Sequence, residues 1–351
     1  MIAGPRRVLF VLANGGRGGM QAQVRLIAGA MALRGVEVTI AVGGGDLEPV
    51  EGVNVVPLAP FTARSPWLFI RSLRRLVASL RADIVHGHGL RLAWPLALCG
   101  AKRCFVTCHG LDPRRARPTV ILTRLARIPV MSCGEGPHSL LARHGLASTV
   151  INNALGPRAA PRTSIELRQR FALADEVAVA VLPARFSEQK NHLLLLEAMA
   201  LVRSEIGDRA PEIVCMGEGP LLEATRAAAH IVGGRPLLRC PGYVSDGAGW
   251  IGAGDFFVLP SRWEGQPQVV LEALANQLSV VTSTQVGVED LIFPGVNGSQ
   301  VGNAAEFAKV ISKWSIDSSS RPTDPEFSAS ILANHEINVV LDSLFEVYRT
   351  S

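Results

Sequence analysis

The chain has 351 residues, enough for two domains that each bury a core of their own. Apolar residues at 48% against charged residues at 19% exclude a disordered chain, and aromatics at only 5% leave a core of Leu, Val, Ala and Ile, the composition of buried parallel strands. The net charge of +5 conceals a split: residues 1–150 hold 19 Lys+Arg against 7 Asp+Glu (+12), and residues 151–351 hold 16 against 23 (−7). Such a split implies different partners for the two halves. Nucleic acid is not among the expected ones, because no binding motif is present and the basic half has no Tyr for base stacking. An anionic membrane surface or an acidic acceptor suits the basic half better.

In chain order, short β-rich runs alternate with helical stretches. Strands are expected at 8–12, 36–42, 53–56, 83–86, 104–107, 130–132 and 149–151, with helices over 20–34 and 66–80. The segment 152–161, rich in Pro, Gly and Ala without a period, reads as an interdomain linker. A second series follows: strands at 177–182, 212–216, 237–240, 255–259 and 280–282, and helices over 191–204, 220–229 and 267–275. A closing helix is expected over 327–348. Alternation of this kind makes right-handed βαβ units with parallel sheets, so two consecutive α/β domains are expected, with the ligand in the cleft between them.

The opening residues offer only 8–13 as an unbroken apolar run, shorter than a signal-peptide core, and no stretch approaches transmembrane length. None of the six cysteines forms a Cys-x-x-Cys pair, so free buried thiols in a reducing compartment are expected. The expected location is cytoplasmic, with peripheral docking on the inner face of the membrane left open. The segment 66–81 bears on that question. Trp67, Ile70, Leu73, Val77 and Leu80 line one face, and Arg71, Arg74, Arg75 and Arg81 stand mostly opposite. This pattern describes either a helix packed on its sheet with a solvated Arg face or a membrane-surface helix, with Trp67 and Phe69 at one end and Arg114, Arg115 and Arg117 elsewhere in the same half.

The chemistry concentrates in Trp263-Glu264-Gly265-Gln266-Pro267-Gln268-Val269-Val270-Leu271-Glu272-Ala273, after the apolar run 256–261. Pro267 reads as a first-turn proline, so the amides of Gln268 and Val269 would be available to phosphate oxygens. Glu264 would stand on the loop and Glu272 just over one turn into the helix. Two such glutamates could equally be a helix-dipole acid and a surface residue. Upstream, Arg185 and Lys190 stand five apart on another strand-to-helix loop, a spacing that lets two cations meet one diphosphate. Next come Met216-Gly217-Glu218-Gly219-Pro220, Pro241-Gly242-Tyr243-Val244, Thr282-Ser283-Thr284-Gln285-Val286-Gly287-Val288-Glu289-Asp290 and Pro294-Gly295-Val296-Asn297-Gly298.

In this order, Arg-x-x-x-x-Lys, Gly-Glu-Gly-Pro, Pro-Gly-Tyr-Val, Leu-Pro-Ser, Glu-Gly-x-Pro-x-Val-x-Leu-Glu-Ala and Gly-Val-Asn-Gly resemble the family-four retaining glycosyltransferases of the GT-B fold. The resemblance covers nearly all of 177–302, and Glu264 and Glu272 stand as the family's Glu-x7-Glu. In the first half, Gly18-Gly19-Met20-Gln21, Asp83-Ile84-Val85-His86-Gly87-His88 and Thr107-Cys108-His109-Gly110 resemble the family's Gly-Gly-Ala-Glu loop, Asp-x-Val-His-x-His strand and Thr-x-His-Gly turn.

The resemblance implies two Rossmann-like domains: 1–155 on the acceptor side, 156–326 binding the nucleotide sugar, and 327–351 as a helix closing back toward the first. It implies a retaining transfer of a hexose or N-acetylhexosamine from a nucleotide sugar, with UDP favoured. The acceptor would be a hydroxyl on a lipid-linked, polysaccharide or small-molecule acceptor, in envelope glycan assembly. Arg185 and Lys190 would hold the leaving diphosphate, Glu272 the ribose, and Glu264 with the Gly265 and Gln266 backbone the donor sugar. Gly18 and Gly19 would let the first loop approach phosphate and acceptor. His109 would stand beside the reacting carbon, and Tyr243 and Val244 would edge the base pocket. Front-face attack needs no protein nucleophile. The chain has no Asp-x-Asp motif, so neither metal nor cofactor is expected.

The chain departs from the family at four places. Asn152-Asn153-Ala154-Leu155 replaces Asn-Gly-x-Asp, Gln21 and Asp290 replace glutamates, and Pro267 replaces a common Gly. His86, His88 and His109 could suggest a metal site, but no carboxylate or Cys ligand stands at suitable spacing, and hydrogen-bonded strand-end histidines are the expectation. A dinucleotide fingerprint fails because Gln21 occupies its last glycine position. Two rivals remain. One is a sugar-nucleotide 2-epimerase of similar fold, which would need acids in the acid-poor first half. The other is a silent nucleotide-sugar-binding subunit.

Overall fold

The computed structural model describes residues 5–62, 64–157, 160–229, 235–284 and 287–350. Residues 1–4, Arg158 and Ala159 of the expected linker, and Gln285 and Val286 of the 282–290 loop lie outside them. The chain divides into two compact units, Met1–Gly156 with Asn334–Ser351, and Pro157–Ala333.

The first unit runs β1 (Arg7–Leu12), α1 (Gly19–Leu33), β2 (Glu37–Val42), β3 (Val53–Pro57), α2 (Pro66–Leu80), β4 (Ile84–His88), α3 (Ala93–Ala97), β5 (Cys104–Cys108), α4 (Ala116–Ala126), β6 (Val130–Ser132), α5 (Glu135–Arg143) and β7 (Thr149–Val150), and ends with α12 (Ile337–Thr350). Its strands form one parallel sheet, in the order β3-β2-β1-β4-β5-β6-β7. β1 lies inside the sheet and must be apolar on both faces. Val8, Phe10 and Leu12 pack with α1 and α12 on one side, while Leu9 and Val11 pack with α2, α3 and α4 on the other.

The second unit comprises α6 (Ser164–Phe171), β8 (Val179–Pro183), α7 (His192–Ile206), β9 (Glu212–Met216), α8 (Leu222–Ala229), β10 (Arg239–Gly242), β11 (Phe257–Leu259), α9 (Gln268–Ala275), β12 (Val280–Ser283), β13 (Gly298–Val301), α10 (Ala304–Ile316) and α11 (Pro325–Ala333). Its strands pair in parallel as β10-β9-β8 and β11-β12-β13. A bridge from Ala180 to Phe256 sets β8 beside β11. The strand order reverses at that junction, the place where open α/β sheets bind ligands beyond their carboxyl ends.

Three expectations need correction. The closing helix over 327–348 is two helices, α11 and α12, assigned to different units. The interruption has a visible cause: the His335 carbonyl accepts from the Leu155 amide at 2.8 Å, and His335 Nδ1 lies 2.7 Å from the Asn153 carbonyl. Pro267 is the N-cap of α9, one residue before the first turn. On α2 the buried residues are Phe69, Ile70, Leu73 and Val77, whereas Trp67 is 70% exposed. Phe69 is fully buried, its ring tilted at 54° against that of Phe61, and is not available to a membrane.

Several elements escaped the periodicity reading. The helix α6 follows a reciprocal cap, in which Thr163 Oγ1 accepts from the Glu166 amide and Glu166 Oε2 accepts from the Thr163 amide. Helices α3, α4, α5 and α10 and strand β13 were likewise unread. All six cysteines are free thiols.

Candidate active site

In the second unit the singled-out residues stand on loops leaving the carboxyl ends of β8, β9, β10, β11 and β12. These loops are in direct backbone contact. Gly217 and Gly219, both with positive φ, lie so close to the 184–186 backbone that an added Cβ would fall 2.2 Å from the Ala184 and Phe186 carbonyl oxygens, respectively. The Phe186 amide donates to the Glu218 carbonyl at 2.9 Å, and the Gly217 amide to Gly242 at 2.8 Å. Gly287 presses in the same way on the Glu264 and Gly265 carbonyls, at 3.0 and 2.9 Å from its notional Cβ. Only glycine allows these approaches, which explains the Gly-rich motifs at these strand ends.

On this platform Lys190 Nζ donates to Glu264 Oε1. Ser261 Oγ donates to the same oxygen at 2.7 Å, and Gln189 Nε2 reaches Oε2 at 3.3 Å while donating to the Trp263 carbonyl at 2.9 Å. The pair is withdrawn from water, with side chains 18% and 8% exposed. Gln266 is buried, and its Nε2 donates to Asp290 Oδ2 at 2.9 Å, whereas Asp290 Oδ1 is buried with no partner among the described residues. Arg185 is exposed and makes no ion pair or hydrogen bond among the described residues.

Glu272 lies in α9, and burial among low-polarity neighbours pushes its carboxyl up to about 7, although the residue keeps some contact with solvent. No hydrogen bond or ion pair among the described residues joins Arg185 or the Glu272 carboxylate to the Lys190–Glu264 pair. Tyr243 is exposed just beyond β10, and Val244 packs partly into the core of this unit.

In the first unit, Gly18 is the N-cap of α1 and Gly19 its first residue. A Cβ on Gly18 would meet the Gln21 side-chain oxygen at 2.8 Å, while Gly19 has nothing within 4 Å. Gln21 donates instead to the Asn14 and Gly15 carbonyls, both at 3.3 Å, so it ties the loop to its own backbone. His109 follows β5, and its Nε2 lies 2.8 Å from His88 Nδ1. His86 is held at both nitrogens, by Tyr348 Oη at 2.6 Å and Thr107 Oγ1 at 2.7 Å. Burial keeps the three rings neutral: it lowers His86 to about 3 and His109 to about 4, and takes His88 well below the ordinary value. Among the described residues no group of three or more His, Cys, Asp or Glu is arranged to hold a metal ion.

Two family models match, "Glycosyl transferases group 1" over residues 177–317 and "Glycosyltransferase Family 4" over residues 17–130. The chain belongs to the family-4 glycosyltransferases. This family-4 chain is 34% identical over 130 residues to the putative teichuronic acid biosynthesis glycosyltransferase TuaC of Bacillus subtilis, a match covering 37% of the chain but only 30% of TuaC. It is 26% identical over 356 residues to the D-inositol 3-phosphate glycosyltransferase of an Arthrobacter species, covering 85% of the chain and 82% of that relative. Among solved structures, Anabaena HepE with UDP and glucose superposes with a TM-score of 0.80 at 17% identity, over 99% of this chain and 100% of HepE, which shows the GT-B fold.

Reasoning from the family motifs missed three groups in this chain: Gln189 and Ser261, which share Glu264 with Lys190, and Tyr348, which holds His86. Ser261 and Gln189 stood inside quoted motifs, but nothing in the spacing shows that a side chain turns back on a glutamate. Tyr348 lies some 260 positions from its partner, and only the packing of α12 on the sheet brings them together.

Proposed function

We propose that this chain is a retaining, metal-independent glycosyltransferase that uses a nucleotide sugar, with UDP as the nucleotide, and builds an envelope polysaccharide or glycolipid. The observation that carries the reading is the cluster at the β8/β11 reversal: Lys190 and Glu264 paired and withdrawn from water, with an unpaired Arg185 on the same loop as Lys190. Two cations on one strand-to-helix loop can neutralise a departing diphosphate, and a carboxylate held by three protein donors can orient sugar hydroxyls without moving. Glu272, with its raised carboxyl, is assigned to the ribose hydroxyls, Tyr243 and Val244 to the base, and the Gly265 and Gln266 backbone to the donor sugar.

In the proposed transfer, the bond from the anomeric carbon to the diphosphate oxygen breaks. The acceptor oxygen bonds to the same face of that carbon, and its proton passes to the departing phosphate. The chain positions and neutralises, so no nucleophile is assigned. The support for UDP is that HepE is described with UDP and glucose, and for envelope glycans that TuaC is described in teichuronic acid biosynthesis.

An anionic membrane surface is part of the same reading, and it rests on more than α2. α3 contacts both α2 and α4. These helices together expose Trp67, Trp94, Ile121, Leu122 and Leu125 among Arg71, Arg74, Arg75, Arg117 and Arg124. Exposed apolar and arginine side chains on neighbouring helices suit the headgroup region of a bilayer. No helix is long and apolar enough to cross one.

The decisive experiment is nucleotide release from UDP-, GDP-, ADP- and dTDP-sugars with a membrane-extract acceptor, with and without EDTA, for the wild type and Glu272→Ala. Release from one donor class, unaffected by EDTA and lost in the variant, is the expected result. Release that stops with EDTA sinks metal independence. No release from any donor returns the silent binding subunit, and interconversion of the sugar without transfer returns the epimerase.

A further inference from the structure

The histidine cluster contains more order than a satisfied core requires. His86 and His88 alternate on β4 and so face the same side of the sheet, where their rings stack with centroids 4.5 Å apart and 23° between planes. His86 cannot turn, since Tyr348 and Thr107 hold its two nitrogens. Phe10 meets the His88 ring edge-on at 5.1 Å from the opposite strand. His88 is thus clamped between a fixed ring and a core phenyl, and its Nδ1 contacts His109 Nε2 at 2.8 Å. The other nitrogen of His88, Nε2, is buried without a protein partner, beside a cavity of about 20 Å³ lined by Gln23, His88, His109 and Asn152, room for about one water. His109 itself is partly buried, and its Nδ1 makes no protein hydrogen bond among the described residues.

We propose that His88 is a positioning residue for His109: it fixes the plane of the His109 ring and, through one shared hydrogen, dictates whether the far nitrogen of His109, Nδ1, donates or accepts. The logic is hydrogen counting. A neutral imidazole carries one N–H, and the short contact between His88 Nδ1 and His109 Nε2 needs one donor and one acceptor. If His88 donates from Nδ1, His109 carries its hydrogen on Nδ1. If His109 donates from Nε2, His88 carries its hydrogen on Nε2. Both rings must therefore be protonated on the same-named nitrogen. A mixed pair would set two lone pairs or two hydrogens against each other across 2.8 Å. The Nδ1 of His109 is thus either a donor or an acceptor, fixed by the state of its partner His88. Burial favours neutral rings throughout, in keeping with the lowered values of all three.

This inference rests on the transferase reading for its catalytic consequence but not for its structural content, so two measurements separate them. Nitrogen-15 NMR of the full wild-type chain labelled at histidine, with His88 and His109 assigned from the signals lost in His88→Asn and His109→Asn, reads each tautomer directly. The expected spectrum shows a single tautomer for each ring, both Nδ1–H or both Nε2–H. A mixed pair, or averaged tautomers at His109, overturns the proposal whatever the enzyme does and whether or not a variant folds. In nucleotide-release kinetics, His88→Leu should lower kcat about tenfold or more with the donor KM within about threefold, and His88→Asn, which restores an N–H near the Nδ1 position, should recover most of that loss. Equal kcat in wild type and His88→Leu also overturns it. A wild type that releases no nucleotide while showing matched tautomers fails the transferase reading and leaves the coupling of the two rings standing.

Discussion

In the second unit Lys190 and Glu264 are withdrawn from water as a charged pair, whereas in the first unit His86, His88 and His109 are withdrawn as neutral rings. The physics differs accordingly. A buried charge pair balances desolvation against attraction, so losing one partner leaves an uncompensated charge. A chain of neutral rings carries no such debt, and losing one member costs about one hydrogen bond and its packing. The second unit is therefore expected to be brittle toward charge-deleting substitutions, and the first to be tolerant in stability yet sensitive in catalytic geometry.

The sharpest way to break this contrast is Lys190→Ala. Glu264, with its side chain 8% exposed, would keep only Ser261 and Gln189 as partners. We expect a loss of about 3–5 kcal/mol in unfolding free energy and of about 10³-fold in nucleotide release. Arg185→Ala, an exposed cation without a partner, should lose activity with no measurable loss of stability. Denaturant melts alongside single-turnover kinetics check both. If the two variants melt alike, the charge pair is not what the second unit depends on.

Glycines extend the comparison to the backbone. Gly217 cannot accept a Cβ without meeting the Ala184 carbonyl at 2.2 Å, while Gly19 has nothing within 4 Å. Gly217→Ala should cost about 2–4 kcal/mol. Gly19→Ala, in the first turn of α1, should be neutral or stabilising by up to about 1 kcal/mol. Equal melting of the two would mean that the 217–219 loop gives way easily, and that the site platform is softer than its contacts imply.

Glu272 sharpens the contrast through pH. Its folded-state value is raised, to about 7, from the ordinary 4.5. The native state therefore holds a proton that the unfolded chain has released between those values. The stabilising contribution is complete below pH 4.5 and is lost as pH rises through about 7. Glu272→Gln should flatten the fall in stability over that window and leave the variant more stable than wild type at pH 8, by at most about 3 kcal/mol. The same variant should bind UDP more weakly at pH 8, because the ionised carboxylate is the better acceptor for ribose hydroxyls. Calorimetric titration against pH reads the binding arm. A wild type whose stability does not fall between pH 5 and 8 relative to the variant would remove the raised carboxyl from the account.

Legibility in the sequence also divides between the units. The second unit's loops are short and local: Arg185, Lys190 and Glu264 stand on loops that leave β8 and β11, and Glu272 lies in the helix that follows, so motif order reveals them. The first unit's arrangement depends on distant partners. Tyr348 and His86, or His88 and His109, meet only because β1, β4 and β5 pair in register and α12 lies on that sheet face. Periodicity located most strands because central parallel strands are continuously apolar. It missed α4, α5 and α10, whose patterns are interrupted by arginines and a proline or follow a polar cap such as Asn303, which accepts from the Glu306 amide. It also placed Trp67 on the buried face of α2, where Phe69 in fact packs. One apolar residue more or less shifts the inferred stripe by a quarter turn.

That misplaced stripe leads to the smallest effect and the last test of how the halves differ. With Phe69 in the core, the large exposed apolar side chains of α2 and α4 are Trp67 and Leu68 on the first and Ile121, Leu122 and Leu125 on the second, the last 61% exposed. If docking belonged to α2 alone, substitutions on α4 would leave it unchanged. If the face spans both helices, Ile121→Asp with Leu125→Asp should weaken binding to phosphatidylglycerol-containing vesicles about tenfold or more, since it removes two apolar contacts and adds two like charges against an anionic surface. Binding by the wild type should fall with added salt, because each arginine near the surface contributes about 1 kcal/mol that screening removes. Flotation with phosphatidylcholine vesicles serves as the control. Undiminished flotation of the double variant would confine docking to α2, and equal binding to both vesicle types would take the arginines out of it.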